Sequence, residues 1–129
     1  MKNKIIKFLF ICLLFGKITS AQDYKNFGWT ELAAKKGISI SFIFYKKANN
    51  IKNGIVLKIK NDNEYDVVYN FTLIFKAGKE LKEEFISGEI NSRQIKAGSS
   101  DGLFFLPFDK TKTISELGIK KLKVAKKKL

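Results

Sequence analysis

The stretch from Asp66 to Lys76, DVVYNFTLIFK, alternates without a break. Val67, Tyr69, Phe71, Leu73 and Phe75 fall on one side of an extended chain, and Val68, Asn70, Thr72, Ile74 and Lys76 on the other. Side chains of a strand point to opposite faces with a period of two, so one face of this segment is made to be buried. On a helix the same apolar residues would be scattered around the axis. The β-branched and aromatic residues that dominate it suit a half-buried pleated surface.

The same alternation recurs upstream. Ile38, Ile40, Phe42 and Phe44 oppose Ser39, Ser41, Ile43 and Tyr45, and Ile55, Leu57 and Ile59 oppose Val56, Lys58 and Lys60. Between them KANNIKNG, Lys47 to Gly54, reads as a turn cluster. Downstream, Ala77-Gly78-Lys79 makes a turn, and ELKEEFIS from Glu80 is a poorer, charged strand suited to a sheet edge, where its charges deter pairing with other chains. EINSRQI and the turn KAGSSDG follow. Leu103 to Phe108, LFFLPF, is apolar on both faces and ends or bulges at Pro107, which has no amide hydrogen. In ISELGIKKLKVAKKK the apolar spacing slips between Ile119 and Leu122, which predicts a bulge. A helix competes for this stretch, but Gly118 and the β-branched residues oppose it. About seven short strands with turn signals roughly every ten residues predict an all-β sandwich or barrel.

The chain opens MKNKIIKFLFICLLFGKITSAQ. Lys2, Lys4 and Lys7 precede the apolar run Phe8–Phe15, and Thr19-Ser20-Ala21 supplies small residues before Gln22, the layout of a cleaved signal peptide. Nine residues separate Lys7 from Lys17. As helix they reach roughly 14 Å, well short of the about 30 Å of a bilayer core. The expected organisation is a signal peptide over 1–21, an N-terminal segment over 22–37 and a β-sandwich domain over 38–129. Export to the periplasm or beyond follows, with membrane contact only through the signal peptide before cleavage. Within the N-terminal segment, WTELAAKKG allows a short helix capped by Thr30 or an edge segment leading into the first strand.

VLKIKNDNEYDVVYNFTLIF and INSRQIKAGSSDGLFF together resemble the immunoglobulin-like sandwiches of small exported bacterial proteins, over about Ile38 to Val124. In such domains a strand ends in Asn, a short polar loop follows and a long strand returns. The resemblance implies an immunoglobulin-like antiparallel β-sandwich of about seven strands. It carries a fold and no functional residues.

The chain has no histidine and a single cysteine, Cys12, inside the leading apolar run. Ser-His-Asp and Cys-His catalysis and the usual zinc ligands therefore have no residues to build them. Gly78-Lys79 is no P-loop, because Leu73 stands where the motif needs glycine and Glu80 where it needs Ser or Thr. Glu83 and Glu84 point to opposite faces of a strand. Asp62, Glu64 and Asp66, with Asn61 and Asn63, lack the ligand frame of a calcium loop. They read as a strand-to-strand corner in which Asn61 or Asp62 bonds backbone amides. Neither an enzyme nor a cofactor or metal site is expected.

What remains is binding. The formal charge is +13, and cleavage after Ala21 removes four lysines to leave +9. Lys120, Lys121, Lys123 and Lys126 are the candidate anion-binding residues, for lipopolysaccharide, acidic glycan or extracellular DNA. They carry neither the arginine forks nor the interleaved aromatics of specific nucleic-acid readers. Trp29, Ile43, Tyr45, Val68 and Ile74 are the candidate protein-partner residues. Trp29 belongs to an aromatic cluster with Tyr24 and Phe27. The others, with Val56, are expected to form an apolar strip on the face away from the core.

Overall fold

The computed structural model describes residues 28–46, 52–108 and 112–128. The expected signal peptide and its cleavage site, Tyr24 and Phe27, and Asn49-Asn50 of the first turn lie outside the described residues. Among the described residues eight strands follow in order: β1 (Thr30–Lys35), β2 (Ile38–Lys46), β3 (Lys52–Asn61), β4 (Val67–Ala77), β5 (Glu80–Ile90), β6 (Ile95–Ala97), β7 (Phe104–Phe105) and β8 (Glu116–Lys126). The helical content of the described residues is one 3-10 turn, Ser99–Asp101. All pairings are antiparallel. One sheet runs β1-β2-β3-β6, with β7 also on β3, and the other runs β5-β4-β8.

The alternation read from the sequence sets the core. Val67, Tyr69, Phe71, Leu73 and Phe75 of β4 are all buried, as are Ile38, Ile40 and Phe42 of β2 and Ile55, Leu57 and Ile59 of β3. Together with Leu32, Ile90, Leu103, Ile114, Leu117, Ile119 and Val124 they form a single cluster between the sheets. A chain this long buries roughly two thirds of its unfolded surface, enough for such a core without disulfides.

Thr30–Lys35 is an edge strand, not a helix, and pairs with β2 from Thr30↔Phe42 to Lys35↔Ile38. Lys36 (φ 46°) and Gly37 (φ 81°) form its two-residue turn. Two successive positive φ angles are the type I′ geometry that matches strand twist. Gly37 is at the tip because a Cβ there would lie 2.5 Å from the Asn63 side chain.

Three boundaries differ from the sequence reading. β3 begins at Lys52, so Asn53 and Gly54 belong to the strand and not to the preceding turn. Gly54 pairs with Tyr45, and its missing side chain makes room for Leu106, whose Cδ2 lies 2.9 Å from where a Cβ would stand. β5 runs unbroken to Ile90, because β4 offers it partners from Ala77 to Val67. In the run before Pro107 only Phe104 and Phe105 pair with β3. The expected bulge in β8 is present: the register passes from Thr72↔Lys120 to Asn70↔Lys123, and Lys121 takes φ 55°.

Tyr69 reaches across its neighbour Gly88, where an added Cβ would stand 2.8 Å from the hydroxyl oxygen and 3.1 Å from Cζ. Gly88→Ala is expected to cost about 1–3 kcal/mol by overpacking. The cost should shrink in a Tyr69→Phe background, which removes the nearest atom, and a double-mutant cycle in urea measures the difference. Burial, and secondarily the Asp101 carboxylate, push the Tyr69 phenol above its ordinary pKa. A raised folded pKa means that the phenol's contribution to stability is present below the unfolded value and is lost as pH rises. Tyr69→Phe is therefore expected to flatten the loss of stability above about pH 10, read by denaturant midpoints across that range.

Candidate functional site

The corner between β3 and β4 is built on Asn61, which is 1% exposed. Its Nδ2 donates toward the carbonyls of Tyr65 (3.0 Å), Ile90 (3.3 Å) and Asn91 (3.0 Å). Its Oδ1 accepts from the Asn63 backbone nitrogen at 2.9 Å and from Asn63 Nδ2 at 3.0 Å. Asn63 Nδ2 also donates to the Lys36 carbonyl at 2.9 Å, which ties the β1–β2 turn to the corner. The three acidic residues serve separate partners. Asp62 pairs with Lys60 at 3.6 Å, and Glu64 with Arg93 at 3.1 Å. Asp66 Oδ1 accepts from the Ser92 backbone nitrogen at 2.8 Å. Among the described residues no group of three or more His, Cys, Asp or Glu is placed to hold a metal ion. The loop is a structural joint between β3, β4 and the β5–β6 connection.

The expected apolar strip does not form as one surface. Ile43, Tyr45 and Val56 lie on the outer face of the first sheet, and Val68 and Ile74 on the outer face of the second, on opposite sides of the molecule. Strand alternation names the outward residues, but sheet membership decides which of them meet.

On the first sheet the outward apolar residues gather. Ile43 pairs with Val56 across β2 and β3, and Val56 with Phe104 of β7. The Tyr45 and Phe104 rings meet edge to face, 5.3 Å apart at 87°, and Leu106 lies over Gly54 beside Tyr45. Gly28 approaches Ile43, and Lys58 Nζ stands 4.7 Å above the Trp29 ring, at the polar border of the cluster. Tyr45 is 42% and Leu106 53% exposed. Phe104 and Leu106 were not singled out from the sequence. The signal was there in LFFLPF, since a run apolar on both faces must present one of them outward.

The outer face of the second sheet is laced by charge. Lys120 pairs with Glu83 at 2.9 Å, Lys127 with Glu89 at 2.9 Å and Lys76 with Glu116 at 3.5 Å, while Lys112 pairs with Glu80 at the start of β5, on the strand's other face. Exposed pairs of this kind add little stability, but they occupy the lysines. Val68, which is exposed, and Ile74 lie among these charges: Val68 faces Glu89 on β5, and Ile74 faces Glu83.

The four lysines proposed for anions do not converge. Lys120 and Lys123 project from the outer face, opposite Thr72 and Asn70. Lys121 occupies the bulge, and Lys126 reaches over the Tyr65 ring at 5.0 Å. Among the described residues Lys121 and Lys123 have no carboxylate partner, whereas Lys120 does. No helix among the described residues is long and apolar enough to cross a membrane.

Comparison of the chain with protein-family models, with curated proteins and with solved structures returns no match.

Proposed function

We propose that this chain is a non-catalytic interaction module that binds a protein partner, acting after export in the periplasm or at the cell surface. The observation that carries the reading is the apolar cluster on the outer face of the first sheet, formed by Trp29, Ile43, Tyr45, Val56, Phe104 and Leu106. A solvated sheet face ordinarily alternates to polar residues, and this one does so only from Ser41 and Lys58 onward. Aromatic and aliphatic side chains grouped on one sheet face are the kind of anchor that dominates protein interfaces.

We read the sandwich as immunoglobulin-like. The chain crosses from the first sheet to the second between β3 and β4, returns between β5 and β6, and crosses again between β7 and β8. Those crossovers support a Greek-key arrangement.

The test is capture from an envelope extract with the wild-type chain, with Tyr45→Ala/Leu106→Ala and with Lys121→Ala/Lys123→Ala. A partner retained by the lysine variant, lost by about ten-fold or more in the first variant and little affected between 50 mM and 200 mM salt supports the reading. Binding that falls steeply with salt, and with the lysines rather than with Tyr45 and Leu106, would replace it by an anionic-polymer binder.

A further inference from the structure

We propose that two copies of this chain pair through β5, antiparallel about a two-fold axis at Glu83, and join their second sheets into one continuous sheet. This surface is separate from the face assigned above to a protein partner. β5 is the edge of its sheet, bonded to β4 on one side only. Its residues from Glu80 to Phe85 are all exposed, so both faces of this half of the strand stand in solvent. Leu81 (60%) and Phe85 (65%) are the most exposed large apolar side chains among the described residues. Only toward its end is the edge covered, where Lys96 Nζ donates to the Glu89 carbonyl at 2.6 Å.

The sequence of this edge is complementary to itself when the axis is at Glu83. With the axis at Glu83, Lys82 of each copy faces Glu84 of the other, on the core side of the strand. Leu81 faces Phe85 of the other copy, on the outer side. Each pair occurs twice. Lys82 and Glu84 have no ion-pair partner among the described residues, so their charges are free to be used. Glu83 meets its own copy at the axis, but each Glu83 is already neutralised by Lys120 at 2.9 Å. Opposite charges and apolar pairs directly across an antiparallel ladder are stabilising, and like charges there are not. Moving the axis to Lys82 sets Lys82 on Lys82 and Glu84 on Glu80. Moving it to Glu84 sets Glu84 on Glu84 and Phe85 on Glu83. Moving it to Leu81 sets Glu80 on Lys82, but Glu80 is already paired with Lys112 and the facing Lys79 lies in the turn before β5. The charges therefore resist general edge pairing while favouring the axis at Glu83. The net charge of +13 opposes any self-association. β5 is locally acidic, however, and salt near 0.15 M screens charges beyond about 8 Å.

Sedimentation equilibrium of the purified chain at rising concentration is expected to show a monomer–dimer equilibrium. Lys82→Glu and Glu84→Lys should each weaken it by about ten-fold, and the two together should restore it, because the pair is only exchanged. In a Cys12→Ala background, Glu83→Cys should form a disulfide dimer on mild oxidation. Ser87→Cys should not, since its copies would stand about 27 Å apart at ~3.4 Å per residue. All four positions on β5 are exposed or on the strand's free rim, so the fold is not at stake. A monomer at every concentration, a double variant as weak as the singles, or crosslinking at 87 rather than 83 would each overturn the pairing. So would an open-ended series of oligomers, which would mean that β5 meets a different strand, such as β8, of the next copy.

Discussion

Phe71→Ala is expected to destabilise the protein by about 3–5 kcal/mol, the cost of the lost transfer free energy plus the cavity left behind. Phe71 has no exposed surface. It sits at the middle of the central strand of the second sheet, stacked on Tyr69 with ring centroids 6.1 Å apart. Small domains are held by only about 5–15 kcal/mol, so this one change removes a large part of the total. The neighbouring Thr72→Ala should stay within about 1 kcal/mol. Thr72 lies on the outer face between Phe85 of β5 and Lys120 of β8 and is only partly buried. Urea denaturation of both variants decides the matter. If Thr72→Ala proved the costlier, the faces of β4 would be reversed.

The second large effect concerns Asn61. Asn61→Ala removes donors to three carbonyls and the acceptor that holds Asn63. With a net worth of about 0.5–1.5 kcal/mol per hydrogen bond and a further cost for the buried carbonyls left unpaired, the expected loss is roughly 2–4 kcal/mol. Asn61→Asp, nearly identical in shape, should be worse at neutral pH. An ionised carboxylate there would be buried against the oxygens of Tyr65, Ile90 and Asn91 and could donate to none of them. The aspartate would favour its protonated form in the folded state, so the variant should be most stable at acidic pH and lose stability as pH rises. Denaturant midpoints of the two variants across the acid range test this. An Asp variant equal to Ala at neutral pH would show that the amide hydrogens are not what holds the corner.

Both residues were legible before the fold was known, to different depths. Phe71 declares itself through alternation, a signal carried by its immediate neighbours. Asn61 was expected to bond backbone, but its reach to Ile90 and Asn91 was not legible. Those carbonyls lie about thirty residues further along the chain, and no local pattern records which loop will be folded against which. Asp66 shows the same thing: within its loop it resembles a candidate ion ligand, yet its partner is the amide of Ser92.

Local patterning in the chain dictates which side of β2, β3 and β4 is buried, where the bulge of β8 falls, and that β5 suits an edge. Strand alternation is a property of the local backbone, and a one-residue slip would expose every core side chain. How the outward residues assort depends on which strands come together in space. Ile43, Tyr45 and Val56 gain Phe104 and Leu106 because β7 returns beside β3. Val68 and Ile74 are carried to the opposite face because β4 crosses to the other sheet. Lys120 is taken by Glu83 because β4 brings β8 and β5 to its two sides. A surface is made by strands that meet across long loops, and the residues it joins have no spacing in the sequence that would announce it.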